Sequence, residues 1–158
     1  MDTHTLTQLT KRKRTPHVFA PLGNRPYLQS LGIANDHIHV LDWWEARRVE
    51  IEVTDKSAKA PMKHAFDVTC TPAQHFTGRG LTDRFKTLWA SWVVTGVPLP
   101  SDSPMQGAAE GVKIYFAGDT GYCAVRDGVN EDDLPVCPAF KEIGEHWGGF
   151  NFAMIPIG

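Results

Sequence analysis

The segment that most constrains the fold is Lys113-Ile-Tyr-Phe-Ala-Gly-Asp-Thr-Gly-Tyr122. An apolar run stops at Gly118, and a single carboxylate, Asp119, follows between two small residues. This pattern predicts a strand that delivers Asp119 at its end, with the backbone packed closely around it. A carboxylate there suits a metal ion or a phosphate site. An ordinary turn is the alternative, because Asp and Gly are also frequent in turns.

A second candidate donor follows another apolar run, in Thr71-Pro-Ala-Gln-His-Phe76. The imidazole of His75 is able to ligate a metal ion or to act as a base. Gln74, next to it, is placed to support the ring or a ligand. The alternative is a histidine that bonds the backbone in a turn or in the core, and both interpretations stay open at this point.

The pair His37 and His39 in Asp36-His-Ile-His39 has the spacing that places two side chains on one face of a strand. That arrangement suits zinc, but a zinc cluster needs further ligands and none follow in Asp42-Trp-Trp-Glu45. The pair is therefore predicted to be a solvent-facing edge. Trp43 and Trp44 are interpreted as packing residues rather than substrate contacts.

Composition excludes several classes of protein. The chain has 158 residues, 42% of them hydrophobic, which is enough for one domain with a core. The net charge of −2 argues against a nucleic-acid-binding protein. There is no apolar stretch of transmembrane length and no apolar signal-peptide core. Three cysteines do not make a disulfide framework, which fits a reducing, intracellular compartment. Cys123 and Cys137 lack C-x-x-C spacing and are interpreted as packing or loop thiols.

Hydrophobic periodicity predicts three helices and about seven strands, an α/β protein whose sheets carry helices on an outer face. The helices are expected at residues 3–10, 24–31 and 138–146, with Asp2 and Asn24 as N-caps. The strands are expected at residues 17–20, 38–41, 48–53, 66–71, 88–94, 112–117 and 152–157. The last strand is expected to be buried, and residues 99–111 and 124–136 are expected to be loops.

Six ordered segments resemble the N-acylphosphatidylethanolamine-hydrolysing phospholipase D family, which has the metallo-β-lactamase fold. The resemblance covers almost the whole chain, and the inserted loop at residues 124–136 is similar to the fungal branch. The segments are Leu41-Asp-Trp-Trp-Glu45, Cys70-Thr-Pro-Ala-Gln-His75, Leu88-Trp-Ala-Ser-Trp92, Phe116-Ala-Gly-Asp-Thr-Gly-Tyr122, Cys137-Pro-Ala-Phe-Lys-Glu-Ile-Gly144 and Ile155-Pro-Ile-Gly158.

The resemblance implies that residues 1–158 are a partial metallo-β-lactamase domain, part of a four-layer αβ/βα sandwich with two Zn²⁺ ions at the sheet edges. It implies that His75 is a catalytic ligand of one zinc and that Asp119 bridges both. An H-x-H-x-D-H segment is expected immediately before Met1, and a last histidine after Gly158. Because a catalytic zinc needs three protein ligands, the 158 residues alone are expected to bind zinc weakly and to be inactive.

The implied reaction is zinc-assisted hydrolysis of N-acyl phosphatidylethanolamine to an N-acylethanolamine and phosphatidic acid. The expected partners are a phospholipid substrate, a peripheral membrane surface and a second copy of the chain in a homodimer, with no nucleic acid. The expected location is cytoplasmic or mitochondrial and membrane-associated, with the basic run at residues 11–14 facing solvent or an anionic lipid surface. The rival interpretations are a non-catalytic interaction module and a related zinc hydrolase acting on RNA or lactones.

Overall fold

The computed structural model describes residues 2–12, 14, 16–53, 62–78, 80, 82–97, 111–123, 127–130 and 133–156. Contacts between residues divide the chain into two compact units. Unit 1 comprises residues 1–43 and 76–89, and unit 2 comprises residues 44–75 and 90–158. Seven strands and three α-helices are present among the described residues, as the sequence predicts for an α/β protein.

Unit 1 begins with helix α1, Thr3–Thr10. Its N-cap is Asp2, whose carboxylate accepts hydrogen bonds from the backbone amides of His4 and Thr5. These bonds satisfy amides that have no carbonyl partner in the first helical turn, so both the helix and its predicted cap are confirmed. Hydrogen bonding, first of all from the Thr5 hydroxyl, lowers the pKa of Asp2.

The core of unit 1 surrounds a small parallel sheet. Strand β1, Val18–Pro21, pairs in parallel with β2, Ile38–Leu41. Helix α2, Arg25–Ser30, and a 3-10 turn at Asn35–His37 connect them. The buried cluster consists of Ala20, Leu28, Ile33 and Ile38. Full burial of one leucine side chain such as Leu28 stabilises a fold by roughly 1.5–3 kcal/mol.

The prediction that the Asn24 side chain caps α2 is wrong. The Asn24 side chain makes no hydrogen bond to an α2 amide. Its Nδ2 donates instead to the carbonyl of Pro21 at 2.8 Å, and its own carbonyl accepts from the amide of Leu28 at 3.1 Å. Asn24 is buried, so its amide group stabilises the turn between β1 and α2 rather than the helix end.

Unit 2 contains a five-stranded sheet in the order β3-β4-β5-β6-β7. Its first four strands pair in antiparallel fashion, and β7 pairs with β6 in parallel. Strands β4, β6 and β7 therefore run in the same direction, and their carboxyl ends lie at one edge, here called the carboxyl edge. The strands are β3 Ala46–Val53, β4 Met62–Thr71, β5 Ser91–Val97, β6 Lys113–Phe116 and β7 Phe152–Met154.

Strand β5 begins later than the sequence predicts. Leu88 and Trp89 precede it and belong to unit 1, where the Leu88 amide donates to the carbonyl of Leu22 at 2.9 Å. The apolar alternation that predicted a strand from residue 88 thus begins in a packed loop. The loop predicted at residues 99–111 lies outside the described residues apart from Gly111, as does Ile157, the predicted end of the last strand.

Helix α3, Pro138–Trp147, packs its apolar side on the sheet of unit 2. The buried cluster there consists of Val93, Tyr115, Ala117 and Ile143. The helix ends at Trp147 and is capped by Gly148, whose φ of 65° is left-handed and whose amide donates to the carbonyl of Gly144. Glycine adopts this conformation without the steric cost of a Cβ atom. With ten residues, α3 is the longest helix in the described part of the chain, where no helix combines the length and apolarity needed to cross a bilayer.

The prediction that the last strand is buried is wrong. Phe152 and Met154 of β7 are 56% and 45% exposed. Strand β7 is the last strand of the described sheet and pairs on one side only, with β6. An apolar run of this kind indicates a strand, but burial depends on a neighbour that the run itself does not specify.

Candidate functional site

The two candidate ligands lie on neighbouring loops at the carboxyl edge of unit 2. His75 follows β4 in the His75 loop, residues 72–75, and Asp119 follows β6 in the Asp119 loop, residues 117–121. Strand β5 separates β4 from β6 in the sheet. Both side chains are exposed, so both are accessible to a ligand from solvent.

Two hydrogen bonds join the two loops. The backbone amide of Gln74 donates to Thr120 Oγ1 at 2.8 Å, and the amide of Gly121 donates to the carbonyl of Gln74 at 3.0 Å. Gln74 directly precedes His75, and Thr120 directly follows Asp119. The chain segments that carry the two candidate ligands are therefore connected one residue away from each ligand. That the two side chains bind metal stays a prediction.

A buried pair of hydroxyl groups anchors the start of the His75 loop to β5. Thr71 Oγ1 lies 2.7 Å from Ser91 Oγ, and the Ser91 hydroxyl donates to the carbonyl of Pro72 at 2.7 Å. Both side chains are fully buried, so the bonds are shielded from water. The sequence interpretation missed this pair. The signal available in the sequence was a hydroxyl residue at the end of one apolar strand, Thr71 of β4, and another at the start of the next, Ser91 of β5.

Tyr115 lies next to this pair. Its burial raises the pKa of the phenol, and the nearby Ser91 hydroxyl lowers it by less. Tyr115 Oη has no hydrogen-bond partner among the residues that the structure describes. A buried hydroxyl without a partner is a cost to stability, so Tyr115 contributes here through its ring, which stacks on Phe150 at 5.1 Å.

The Asp119 loop turns at Gly118, where φ is +67°. Just before it, the amide of Ala117 donates to the carbonyl of Met154 at 3.0 Å, which extends the pairing of β6 with β7. A residue with a Cβ atom would be strained at this φ. Asp119 lines a hollow of about 430 Å³ at the ends of β6 and β7, together with Phe116, Met154 and Ile155.

The described residues do not make a zinc centre by themselves. His75 and Asp119 are suitable donors, since zinc accepts imidazole nitrogen and carboxylate oxygen. However, within the described ranges no three or more His, Cys, Asp or Glu side chains are placed to hold one metal ion. A catalytic zinc takes three protein ligands, so two donors fall short of the number required.

The prediction that His37 and His39 form a solvent-facing pair is wrong. Both are half-buried in unit 1, where they pack with His17. The rings of His17 and His37 stack at 4.3 Å, and His17 Nδ1 lies 2.9 Å from His39 Nε2, so one of those two rings donates to the other. His37 Nδ1 is buried with no hydrogen-bond partner in the described part of the chain. These three residues are called the histidine cluster.

His17 was missed because it lies far from the H-x-H pair in the sequence. The signal lay in the register of the two parallel strands, which pairs Val18 with Ile38 and Phe19 with His39. That register places the residue before β1 next to the residue before β2. Register between distant strands is not readable from either segment alone.

The tryptophans and cysteines have structural contacts. Trp43 Nε1 donates to the carbonyl of Trp89 at 2.6 Å, and their rings meet edge to face at 5.7 Å. Trp44, with φ of 67°, stacks on Trp147 at 6.4 Å. Of the three cysteines, Cys70 is buried, whereas Cys123 and Cys137 are half-buried.

Comparison with known proteins identifies the family of the chain. Residues 1–158 match the family model described as a beta-lactamase superfamily domain. An uncharacterized protein of Mycobacterium tuberculosis is 33% identical over 158 residues, which are 100% of this chain and 31% of that protein. N-acyl-phosphatidylethanolamine-hydrolyzing phospholipase D 1 of Caenorhabditis elegans is 30% identical over 161 residues, covering 100% of this chain and 35% of that protein.

A third relative is the mitochondrial N-acyl-phosphatidylethanolamine-hydrolyzing phospholipase D of Saccharomyces cerevisiae. It is 30% identical over 149 residues, which are 92% of this chain and 24% of that protein. The chain thus spans about a third or less of the length of these relatives. The family model, in contrast, matches every residue, and the mixed α/β structure is that of a partial metallo-β-lactamase-like fold. The chain belongs to the family described as the beta-lactamase superfamily domain.

Proposed function

We propose that this protein is a lipid hydrolase that cleaves the phosphodiester of an N-acyl phosphatidylethanolamine, with His75 and Asp119 as two of its metal ligands. The observation that carries the proposal is the pair of hydrogen bonds between Gln74 and residues 120 and 121, which join the two ligand-bearing loops. The substrate class is supported by two relatives that are named for this activity and are each 30% identical to the chain.

The two donors are complementary in chemistry. Neutral imidazole supplies one nitrogen ligand, whereas a carboxylate supplies two oxygens and is able to contact more than one cation. Two hydrogen bonds hold the loops together, so the backbone segments that carry the donors need little rearrangement when a cation binds. Such preorganisation lowers the entropy that binding would otherwise cost.

Further ligands must come from outside the described residues, because two donors do not complete a catalytic site. No catalytic step is therefore assigned to His75 or Asp119 beyond ligation. The 158-residue chain studied alone should bind zinc weakly and should release little N-acylethanolamine.

Ligation is tested by titrating the isotopically labelled chain with Co²⁺ and following the backbone amide signals of Thr120 and Gly121. Paramagnetic broadening of both signals is expected, and His75→Gln and Asp119→Asn should each abolish it. Asp36→Asn is the matched control, because it replaces an exposed carboxylate in unit 1, and it should not change the broadening. Equal broadening in wild type and in Asp119→Asn would refute the assignment.

Activity is tested on the longest product that the transcript encodes. If the reading frame continues upstream of Met1, it should carry an H-x-H-x-D-H segment. That product should convert N-acyl phosphatidylethanolamine to N-acylethanolamine and phosphatidic acid, as measured by mass spectrometry, and Asp119→Asn should reduce the rate at least about 100-fold. Phosphatidylcholine, RNA and a lactone serve as alternative substrates. Faster hydrolysis of any of these would overturn the substrate class.

A further inference from the structure

Unit 2 contains an apolar cavity that the candidate ligands do not occupy. It has a volume of about 350 Å³ and lies between α3 and the strands β6 and β7. Phe140 and Ile143 of α3 line the cavity. Tyr122, which follows the Asp119 loop, and Ile155, which follows β7, line it as well. No residue of its wall carries a charged side chain. Pockets of this size and character bind small apolar ligands.

Gly144 gives the second observation. It lies in the interior of α3 and on the cavity wall. Glycine is unfavourable in the middle of a helix, and it is normally explained by a left-handed φ or by a close neighbour. Neither applies here, because Gly144 has no left-handed φ and a Cβ atom built on it would meet nothing within 4 Å. A glycine here leaves the space above β6 and β7 open.

The cavity and the hollow that contains Asp119 adjoin at the carboxyl ends of β6 and β7, the cavity on the α3 face and the hollow on the opposite face. Ala153, Ile155 and Pro156 line both. Thr120, directly after Asp119, also lines the cavity, while its hydroxyl accepts the hydrogen bond from Gln74. A molecule that spans both would have an apolar part under α3 and a polar part beside Asp119. That is the chemistry of an amphiphile.

We propose that the cavity under α3 holds one aliphatic chain of an amphiphile whose polar end lies in the Asp119 hollow. This assignment rests on the proposed lipid function and specifies where one acyl chain binds. A methylene group needs about the space of a water molecule, roughly 30 Å³, so the cavity accommodates on the order of ten methylenes. The wall is largely apolar, so water molecules there find few hydrogen-bond partners.

Saturated N-acylethanolamines of 4 to 14 acyl carbons are the probes, and binding to the metal-free 158-residue chain is measured by calorimetry below their micellar concentrations. Affinity should rise about fourfold per methylene, the factor that corresponds to burying one CH₂ group, and should level off near ten carbons. Affinity that does not depend on chain length would overturn the proposal.

Gly144→Leu is the deciding variant, because Gly144 lines the cavity and a Cβ atom there meets nothing within 4 Å. It should weaken binding of the ten-carbon probe at least tenfold and should leave α3 at least as stable. Glu142→Leu adds the same side chain to an exposed position of α3 outside the cavity wall and should bind like wild type. Unchanged binding by Gly144→Leu would refute the proposal. If that variant fails to fold, Ala153→Leu fills the cavity from β7 and should show the same loss.

The experiment separates this proposal from the proposed function. His75→Gln and Asp119→Asn should retain the increase in affinity with chain length, since neither residue lines the cavity under α3. A chain-length dependence in a protein that never hydrolyses lipid would leave the chain site standing and remove the enzymatic role. Tighter binding of indole than of the ten-carbon probe would overturn the aliphatic occupant. Self-association that ends when Gly144→Leu is introduced would assign the cavity to a second copy instead.

Discussion

The histidine cluster of unit 1 and the paired loops of unit 2 organise metal-binding residue types in opposite ways. In the cluster, His17 contacts both His37 and His39, and ring nitrogens of His17 and His39 lie 2.9 Å apart in a shared hydrogen bond. In the paired loops, the backbones are bonded together and the candidate ligands, His75 and Asp119, stay exposed. A group of suitable side chains is therefore not itself a binding site.

The difference lies in which atoms hold the arrangement together. Ring nitrogens that satisfy each other, and rings that stack, have to separate before they bind a cation. At the carboxyl edge, residues other than the ligands provide the restraint: the hydroxyls of Thr71, Ser91 and Thr120 and the turn at Gly118. If this contrast is correct, substitutions of these supporting residues should cost more than substitutions within the cluster.

The largest effect is expected for Ser91→Ala. The substitution removes the donor to the Pro72 carbonyl and the partner of Thr71 Oγ1, both buried. Leaving buried polar groups unsatisfied should lower the free energy of unfolding by about 1–3 kcal/mol, as measured by urea denaturation. Ser30→Ala, at an exposed position, should cost less than about 0.5 kcal/mol. Equal losses in the two variants would contradict the anchoring role of Ser91.

Local structure was readable from the sequence wherever one segment carried the whole signal. The helix Thr3–Thr10 with its Asp2 cap and the strand Ile38–Leu41 match their predicted bounds. Asp119 does follow a strand, β6, as the apolar run before Gly118 predicted. These features depend on periodicity and on turn chemistry, which are local.

Features that depend on partners far apart in the sequence were not readable. His17 joins His39 through the register of two strands, and Ser91 joins Thr71 across a strand pair. The exposure of Phe152 depends on the position of β7 in the sheet, and the side-chain bond of Asn24 depends on the path of the chain after β1. In each case the residue type was visible, whereas its neighbour was set by tertiary structure.

Gly118→Ala should have the next largest effect. The φ of +67° at this position costs a residue with a Cβ atom about 1–2 kcal/mol. The added Cβ would lie 3.6 Å from the carbonyl oxygen of Ala90, an ordinary contact, so backbone strain alone sets the loss. Thermal denaturation and the amide shift of Thr120 measure the result. Gly144→Ala is the control and should instead stabilise the protein by up to about 1 kcal/mol. A stabilised Gly118→Ala would show that the turn is not constrained.

Thr120→Val tests the link between the two loops and should have a smaller effect. It removes the acceptor of the Gln74 amide while keeping the shape of the side chain. One hydrogen bond of this kind contributes about 0.5–1.5 kcal/mol. The His75 amide signal should shift, and broadening of Thr120 by Co²⁺ should weaken. Thr95→Val is the matched control, because Thr95 Oγ1 has no hydrogen-bond partner among the described residues, and its loss should be neutral or stabilising.

The smallest effect is expected for His17→Phe, which tests the other side of the comparison. The ring that stacks on His37 is retained, the contact to His39 Nε2 is lost, and residue 17 is exposed. The free energy of unfolding should therefore change by less than about 0.5 kcal/mol. The Co²⁺ response of Thr120 and Gly121 should equal that of wild type. A loss of that response on replacing His17 would mean that the cluster, rather than the carboxyl edge, governs metal binding, and the contrast between the two regions would fail.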